Sequence, residues 1–238
     1  MEFGKAFSFP FQDQEWFKKV AILALISLIP IVGPFVVLGW GVEITRRVIR
    51  KDPTPLPAFG NFGGLLVDGL KVAVIIFVYM LPIILVQACN QAITFGLPEL
   101  MNDLDTVGTI TMVTLICFGC LSLLYAILMG FLLPAALGNF AATDKMGAAF
   151  KFGKVFGLVR AAPVAYLLVL LGTFLSGIVA MLGVIACAIG VFLTAVYAAA
   201  INAHLQGQAY LQAGGDAQSI EDVYNDPDAT IMTGGVTG

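Results

Sequence analysis

Cys117 and Cys120 form a C-x-x-C pair, the spacing used for thiol redox chemistry and for metal binding. Both lie in a run without charged residues, where nothing cationic would stabilise a thiolate. With Cys89 and Cys187 they read as small apolar residues. His204 stands in NAHLQGQAY, with no cysteine or carboxylate beside it to complete a metal site. No G-x-x-x-x-G-K-[ST] phosphate loop occurs, and no serine stands in a nucleophile-elbow context. Glu43 and Arg47, one helical turn apart, are placed to pair at a helix end rather than to carry an ion through lipid. Gln87, Asn90, Gln91 and Asn139 could line a polar path, although amides also cap helix ends routinely. The inventory points away from an enzyme and calls for no cofactor.

The segments that would position these residues are apolar. Of 238 residues, 59% are hydrophobic and 11% charged, and the mean hydropathy is +0.96. Soluble domains carry about 25% charged residues. This composition excludes a soluble enzyme, a disordered chain and a nucleic-acid binder, and leaves lipid as the solvent. Val20–Val42 is uncharged for 23 residues, Val72–Cys89 for 18, Thr106–Thr143 for 38 and Ala161–Gly215 for 55. Backbone in hydrocarbon must satisfy its own hydrogen bonds, and these runs do not alternate as barrel strands do. The expected fold is therefore all-α, a polytopic transmembrane helical bundle. It has about four full spans, near 70–90, 107–134, 162–180 and 183–203, inside a membrane domain of 20–212.

Basic residues set the orientation. Arg46, Arg47, Arg50 and Lys51 form one cluster, and Lys151, Lys154 and Arg160 belong to another. These seven are expected to meet the headgroups of anionic lipids at the cytoplasmic face. The loop Asn90–Thr106 has no Lys or Arg and carries Glu99, Asp103 and Asp105, so it reads as external. Both termini are then cytoplasmic, in a multi-pass protein of the cell membrane. The first apolar segment, about 20–45, has lysines before it and arginines after it. A straight span would strand Lys5, Lys18 and Lys19 outside. Pro30, Gly33 and Pro34 sit mid-segment, where a lost donor and a permissive backbone favour a bend. A broken segment that enters and returns on one face is expected.

Further segments are expected to lie on the membrane. Residues 1–19 bring Phe3, Phe7, Phe9, Phe11, Trp16 and Phe17 next to Lys18 and Lys19, which suits the lipid–water boundary. Residues 148–160 place Ala148, Phe152, Val155 and Val159 at helical spacing, as an interfacial amphipathic helix or a loop helix packed on the spans. Asp68 and Lys71, three apart, are positioned to pair. Residues 213–238 are acidic and too polar to bury a core, and read as a flexible cytoplasmic tail.

Small residues recur every fourth position at Gly172, Ser176 and Ala180, with Gly183 near the same face. Ala186, Gly190, Thr194 and Ala198 repeat the pattern on the next helix. Such stripes let helix backbones approach closely in lipid. Packing of the last two spans on each other explains them; a second copy or another membrane protein is the alternative partner.

The pieces FSFPFQDQEWFKK, IPIVGPFVVLGWGVEITRRV, TPLPAFGNFGGLLVDGLK, FLLPAALGNFAATDKMGAAFKF and INAHLQGQAY, in this order, resemble an uncharacterised membrane family, domain-of-unknown-function family four-zero-one-three. Where that pattern carries an acidic residue after the LP pair, this chain has Ala58. The resemblance implies a polytopic membrane protein and no particular activity. The expected role is a non-enzymatic structural, scaffold or assembly component of the membrane; the alternative is a small permease or pore.

Overall fold

The computed structural model describes residues 1–54, 56–100, 103–184 and 187–215. Its elements are helical: α1 (Phe3–Ser8), α2 (Trp16–Ser27), α3 (Val32–Arg50), α4 (Phe62–Leu100), α5 (Leu104–Thr143), α6 (Met146–Ala149), α7 (Phe152–Ala161), α8 (Pro163–Leu182) and α9 (Cys187–Gln212). Among the described residues α4, α5 and α8 are long and apolar enough to cross a membrane. The expected segment 183–203 falls largely within α9.

α4 and α5 have 39 and 40 residues, each about 60 Å of helix against about 30 Å of hydrocarbon. Their flanks expose Leu85, Phe95, Met112, Leu123 and Leu124. A helix apolar all round, with its side chains bare, has lipid as its natural surrounding. Tyr125 ties the pair together by donating to the Tyr79 carbonyl, and Gln87 donates to Ser122 Oγ at 2.8 Å.

α9 is the central post of the bundle. Val196, Ala200, Ile201, Ala203, Leu205, Ala209 and Tyr210 are all buried, and α9 packs against α1, α2, α3, α5 and α8. Small residues allow this crowding. A Cβ on Gly207 would lie 2.7 Å from Val48 Cβ, and Thr45 Oγ1 donates across to the Ala203 carbonyl at 3.0 Å. The α8–α9 contact runs along the two small-residue stripes. Gly172, Ser176, Gly183, Gly190 and Ala198 are buried, and a Cβ on Gly183 would lie 2.6 Å from the Gly190 carbonyl oxygen. Thr194 Oγ1 donates to the Ala180 carbonyl at 3.0 Å, and Ser176 Oγ to Asn202 Oδ1 at 3.1 Å. Ala186 lies outside the described residues, as does most of the 213–238 tail.

The first apolar segment is broken. α2 stops at Ser27 and α3 starts at Val32, with Pro30 in the gap and Gly33 and Pro34 in the first turn of α3. Val32 N–H donates to the Pro30 carbonyl at 2.9 Å, closing a γ-turn whose central residue, Ile31, has φ 71° and ψ −57°. A Cβ on Gly33 would come within 2.5 Å of Ile26 O, so only glycine lets α3 fold back this tightly on α2. α3 then crosses α4 where Gly39 and Gly69 meet. A Cβ on either would overlap the backbone of the other helix, at the Leu65 carbonyl or the Phe35 carbonyl respectively.

Three expectations are corrected. Residues 148–160 are not one helix: the chain breaks at Phe150–Lys151 between α6 and α7. Val155 and Leu158 form the inward face of α7, whereas Phe152 points outward at 60% exposure. The N-terminal aromatics do not all lie at a boundary, because Phe9 is buried, stacked on His204 at 4.3 Å between centroids. Tyr197 pins the same stretch by donating to the Phe7 carbonyl at 2.5 Å. Arg46 does not face headgroups. It is 8% exposed and held by carboxylates from two other parts of the chain.

Candidate functional site

The basic residues of the α3 end, which read alike in sequence, take different roles. Arg46 points into the bundle, donating to Asp68 on α4 and to Asp144, the residue that ends α5, at 2.5 Å each. Its guanidinium also lies over the Phe140 ring, 5.8 Å from the centroid. Asp68 in turn accepts from Lys71 at 3.2 Å. Three helix ends are thereby tied at one buried cation, where the pair survives because each carboxylate is matched. Arg47 bonds Glu43 Oε1 at 3.4 Å and Thr54 Oγ1 at 2.8 Å. Arg50 and Lys51 are exposed.

Lys51 caps α3 in the left-handed region, at φ 56°. Its N–H donates to the Val48 carbonyl and the Asp52 N–H to the Arg47 carbonyl, a Schellman closure of the helix. This turn sends the chain to Leu56, whose carbonyl accepts from Lys19 Nζ at 3.0 Å and from Arg47 at 3.4 Å. Lys19 is also paired with Asp13 at 2.6 Å. Burial opposes the charged form of Asp13, but Lys19 and the Glu15 N–H outweigh it and hold the carboxyl below its ordinary value.

Against this corner lies a pocket of about 580 Å³. Its walls come from the N-terminal segment (Glu2, Lys5, Phe9), the α3 end (Arg47, Lys51, Asp52) and α9 (His204, Gln208). The orientation of Gln208 is fixed: its Oε1 accepts the Glu2 N–H at 2.9 Å, so its amide nitrogen faces His204 Nε2 at 2.7 Å. That ring nitrogen must then carry the lone pair, which places the proton of neutral His204 on Nδ1. Burial keeps the ring neutral, with a pKa of about 4; Lys5 acts in the same direction and Glu2 opposes. Nδ1 is buried and has no partner among the described residues.

A second, smaller pocket of about 330 Å³ opens where α5 gives way to α6 and α7, lined by Asn139, Thr143, Lys145, Lys151 and Lys154. Asn139 is fully buried and donates to the Ala148 carbonyl at 2.8 Å. Phe152 and Phe156 are exposed on α7 beside these lysines, and Arg160 is exposed at its end. Aromatic rings interleaved with ammonium groups form a surface suited to a lipid–water boundary.

Of the amides that might have marked a path, Gln87 bonds Ser122, Asn139 bonds the Ala148 carbonyl and Asn202 bonds Ser176, whereas Asn90 Oδ1 is buried without a partner among the described residues. Asn202 lines a pocket of about 210 Å³ with Met129, Leu170 and Gln206. That pocket shares no residue with the one holding Asn139. Cys89, Cys117 and Cys120 are exposed as free thiols on α4 and α5. Among the described residues no three His, Cys, Asp or Glu side chains gather as metal ligands would. Sequence reading missed the pocket at His204, whose walls come from three distant stretches, and the Gly39–Gly69 crossing.

A family model described as a protein of unknown function (DUF4013) matches residues 22–189. No curated protein and no solved structure matches the chain.

Proposed function

The chain belongs to this family of unknown function, and we propose that it is a non-enzymatic, multi-pass component of the cell membrane that organises or assists other membrane components. Its polar end, carrying Arg47, Arg50, Lys51, Lys151, Lys154 and Arg160, lies on the anionic cytoplasmic face, with both termini on that side. The α2–α3 hairpin enters the membrane from that face and returns to it. α7 lies along the surface, Phe152 and Phe156 directed to acyl chains and the lysines to phosphates.

The observation that supports this reading is the lysine-lined pocket with two bare phenylalanines next to it. Basic pockets on the inner side of spans bind acidic headgroups, each cation adding about 1 kcal/mol near a charged surface. The test is native mass spectrometry of the full chain released from mixed nanodiscs of phosphatidylglycerol and phosphatidylcholine. Retained phosphatidylglycerol, reduced in Lys151→Gln/Lys154→Gln, supports the proposal; equal retention of both lipids contradicts it. Cross-linking in native membranes tests the organising role, which fails if the protein is recovered alone in every lipid condition. Solute flux in reconstituted vesicles would instead favour a permease.

A further inference from the structure

We propose that the 580 Å³ pocket between the N-terminal segment, the end of α3 and the end of α9 binds a phosphate ester, with Lys51, Arg47 and His204 as its donors. This site is separate from the lysine pocket at α5–α7 and does not rest on the organising role proposed above.

The carboxylates are already engaged: Glu2 holds Lys5 at 2.9 Å, and Asp52 Oδ1 accepts from Thr54 N and Thr54 Oγ1 at 2.9 and 2.6 Å. Gln208 spends its oxygen on Glu2 and its nitrogen on His204. The charged groups in the walls that keep free hydrogens among the described residues are Lys51 and Arg47. Among the described residues the Lys51 ammonium has no ion pair or hydrogen bond, and its left-handed backbone keeps it at this turn. Arg47 commits Nε and Nη1 to Glu43, Thr54 and Leu56, with no described acceptor at Nη2.

The third donor is His204 Nδ1–H, on a side chain more than nine-tenths buried. A buried donor without an acceptor is costly, about 1–3 kcal/mol, and a native protein keeps one where a ligand completes it. Phe9 stacked on the ring holds that donor in place rather than letting it rotate to a partner within the chain. Two cations plus a fixed neutral N–H, beside carboxylates that are already engaged, select an acceptor-rich anion. A phosphate ester offers the tetrahedral oxygens such a set satisfies. Leu211 and Val48 in the wall leave room for the carbon part of the ester. The ester is either a soluble phosphorylated molecule or the headgroup of a phospholipid reached from the adjoining surface.

The experiment uses the full chain in mild detergent, titrated calorimetrically with glycerol 3-phosphate, and in parallel as nanodiscs of phosphatidylglycerol or phosphatidylcholine read by native mass spectrometry. Binding of glycerol 3-phosphate, weakened about tenfold by Lys51→Gln and by His204→Gln, supports a soluble ligand. Phosphatidylglycerol retention with the same dependence, without glycerol 3-phosphate binding, supports the site with a lipid headgroup as its source. Lys151→Gln should leave glycerol 3-phosphate binding and the Lys51-dependent part of phosphatidylglycerol retention unchanged, which separates this pocket from the α5–α7 surface. Lys51 is exposed, so Lys51→Gln keeps the test decisive should His204→Gln fail to fold. The proposal is overturned if neither probe binds, or if binding is indifferent to Lys51→Gln.

Discussion

Lys19 and Arg47 donate to one and the same backbone oxygen, that of Leu56, at 3.0 and 3.4 Å. One residue lies near the start of α2 and the other near the end of α3. Their meeting brings together the two charged ends of the first apolar segment. A helix running straight from Trp16 to Arg50 would separate those residues by about 40 Å. The γ-turn at Ile31 and the close approach at Gly33 are how the backbone achieves the reversal. The turn itself is exposed at Leu28, Ile29 and Ile31, while Leu23, Val36 and Trp40 on the two arms are buried.

Ile31 carries a β-branched side chain at φ 71° and is 76% exposed. Relieving that backbone should stabilise the hairpin by about 1 kcal/mol in Ile31→Gly, because glycine takes φ > 0 freely. A straight helix through this position would instead lose about 1 kcal/mol, since glycine weakens a helix interior. The sign of the change in thermal unfolding in detergent checks the turn directly.

Gly39→Ala and Gly69→Ala each put a methyl group into the opposing backbone, where no rotamer can relieve it. Each should lower stability by about 2–3 kcal/mol or abolish folded protein. Gly63→Ala, with open space at its Cβ, is the control and should change little. Yield after size-exclusion chromatography reports all three.

Arg46→Met leaves Asp68 without its main partner at a site that is mostly closed to water. The expected loss is about 2–4 kcal/mol, below the full value for a buried pair because Asp144 is largely exposed. Arg50→Gln, one turn on and exposed, should fall within about 0.5 kcal/mol of the parent chain. Chemical unfolding followed by far-ultraviolet dichroism measures the difference.

His204 is the chain's 1 histidine, so a stability change between pH 7 and pH 5 is read without competition from another imidazole. Its pKa falls from 6.5 to about 4 in the fold. The unfolded chain therefore binds the extra proton first, and stability is fully present above pH 6.5 and declines as pH falls toward 4. The whole decline is worth about 3 kcal/mol. His204→Gln should flatten the profile in that window, as measured by thermal unfolding at stepped pH.

Helical content, the break at Pro30 and the small-residue stripe at Gly172, Ser176 and Gly183 were legible because each rests on local spacing or on a residue type that constrains its own backbone. The fate of Arg46 was not. Four clustered cations look equivalent in sequence, and the one that turns inward is chosen by Asp68 and Asp144, 22 and 98 positions away. The α7 face was misjudged for a related reason. Counting apolar residues from Ala148 assumed a continuous helix, and the break at Phe150–Lys151 rotates Phe152 outward. The pocket at His204 joins residues 1–12, 47–54 and 204–212, a closure set by the packing of α9 against both ends of the hairpin.

The most direct measurement is sidedness labelling of a chain whose native cysteines are replaced by alanine, with one new thiol at a time. Lys18→Cys, Arg50→Cys and Lys154→Cys should react with an impermeant maleimide from the same side of sealed vesicles, and Asp103→Cys from the other. Labelling of Lys18→Cys from the side opposite to Arg50→Cys would mean that the first apolar segment crosses the membrane, and would contradict the account at its base.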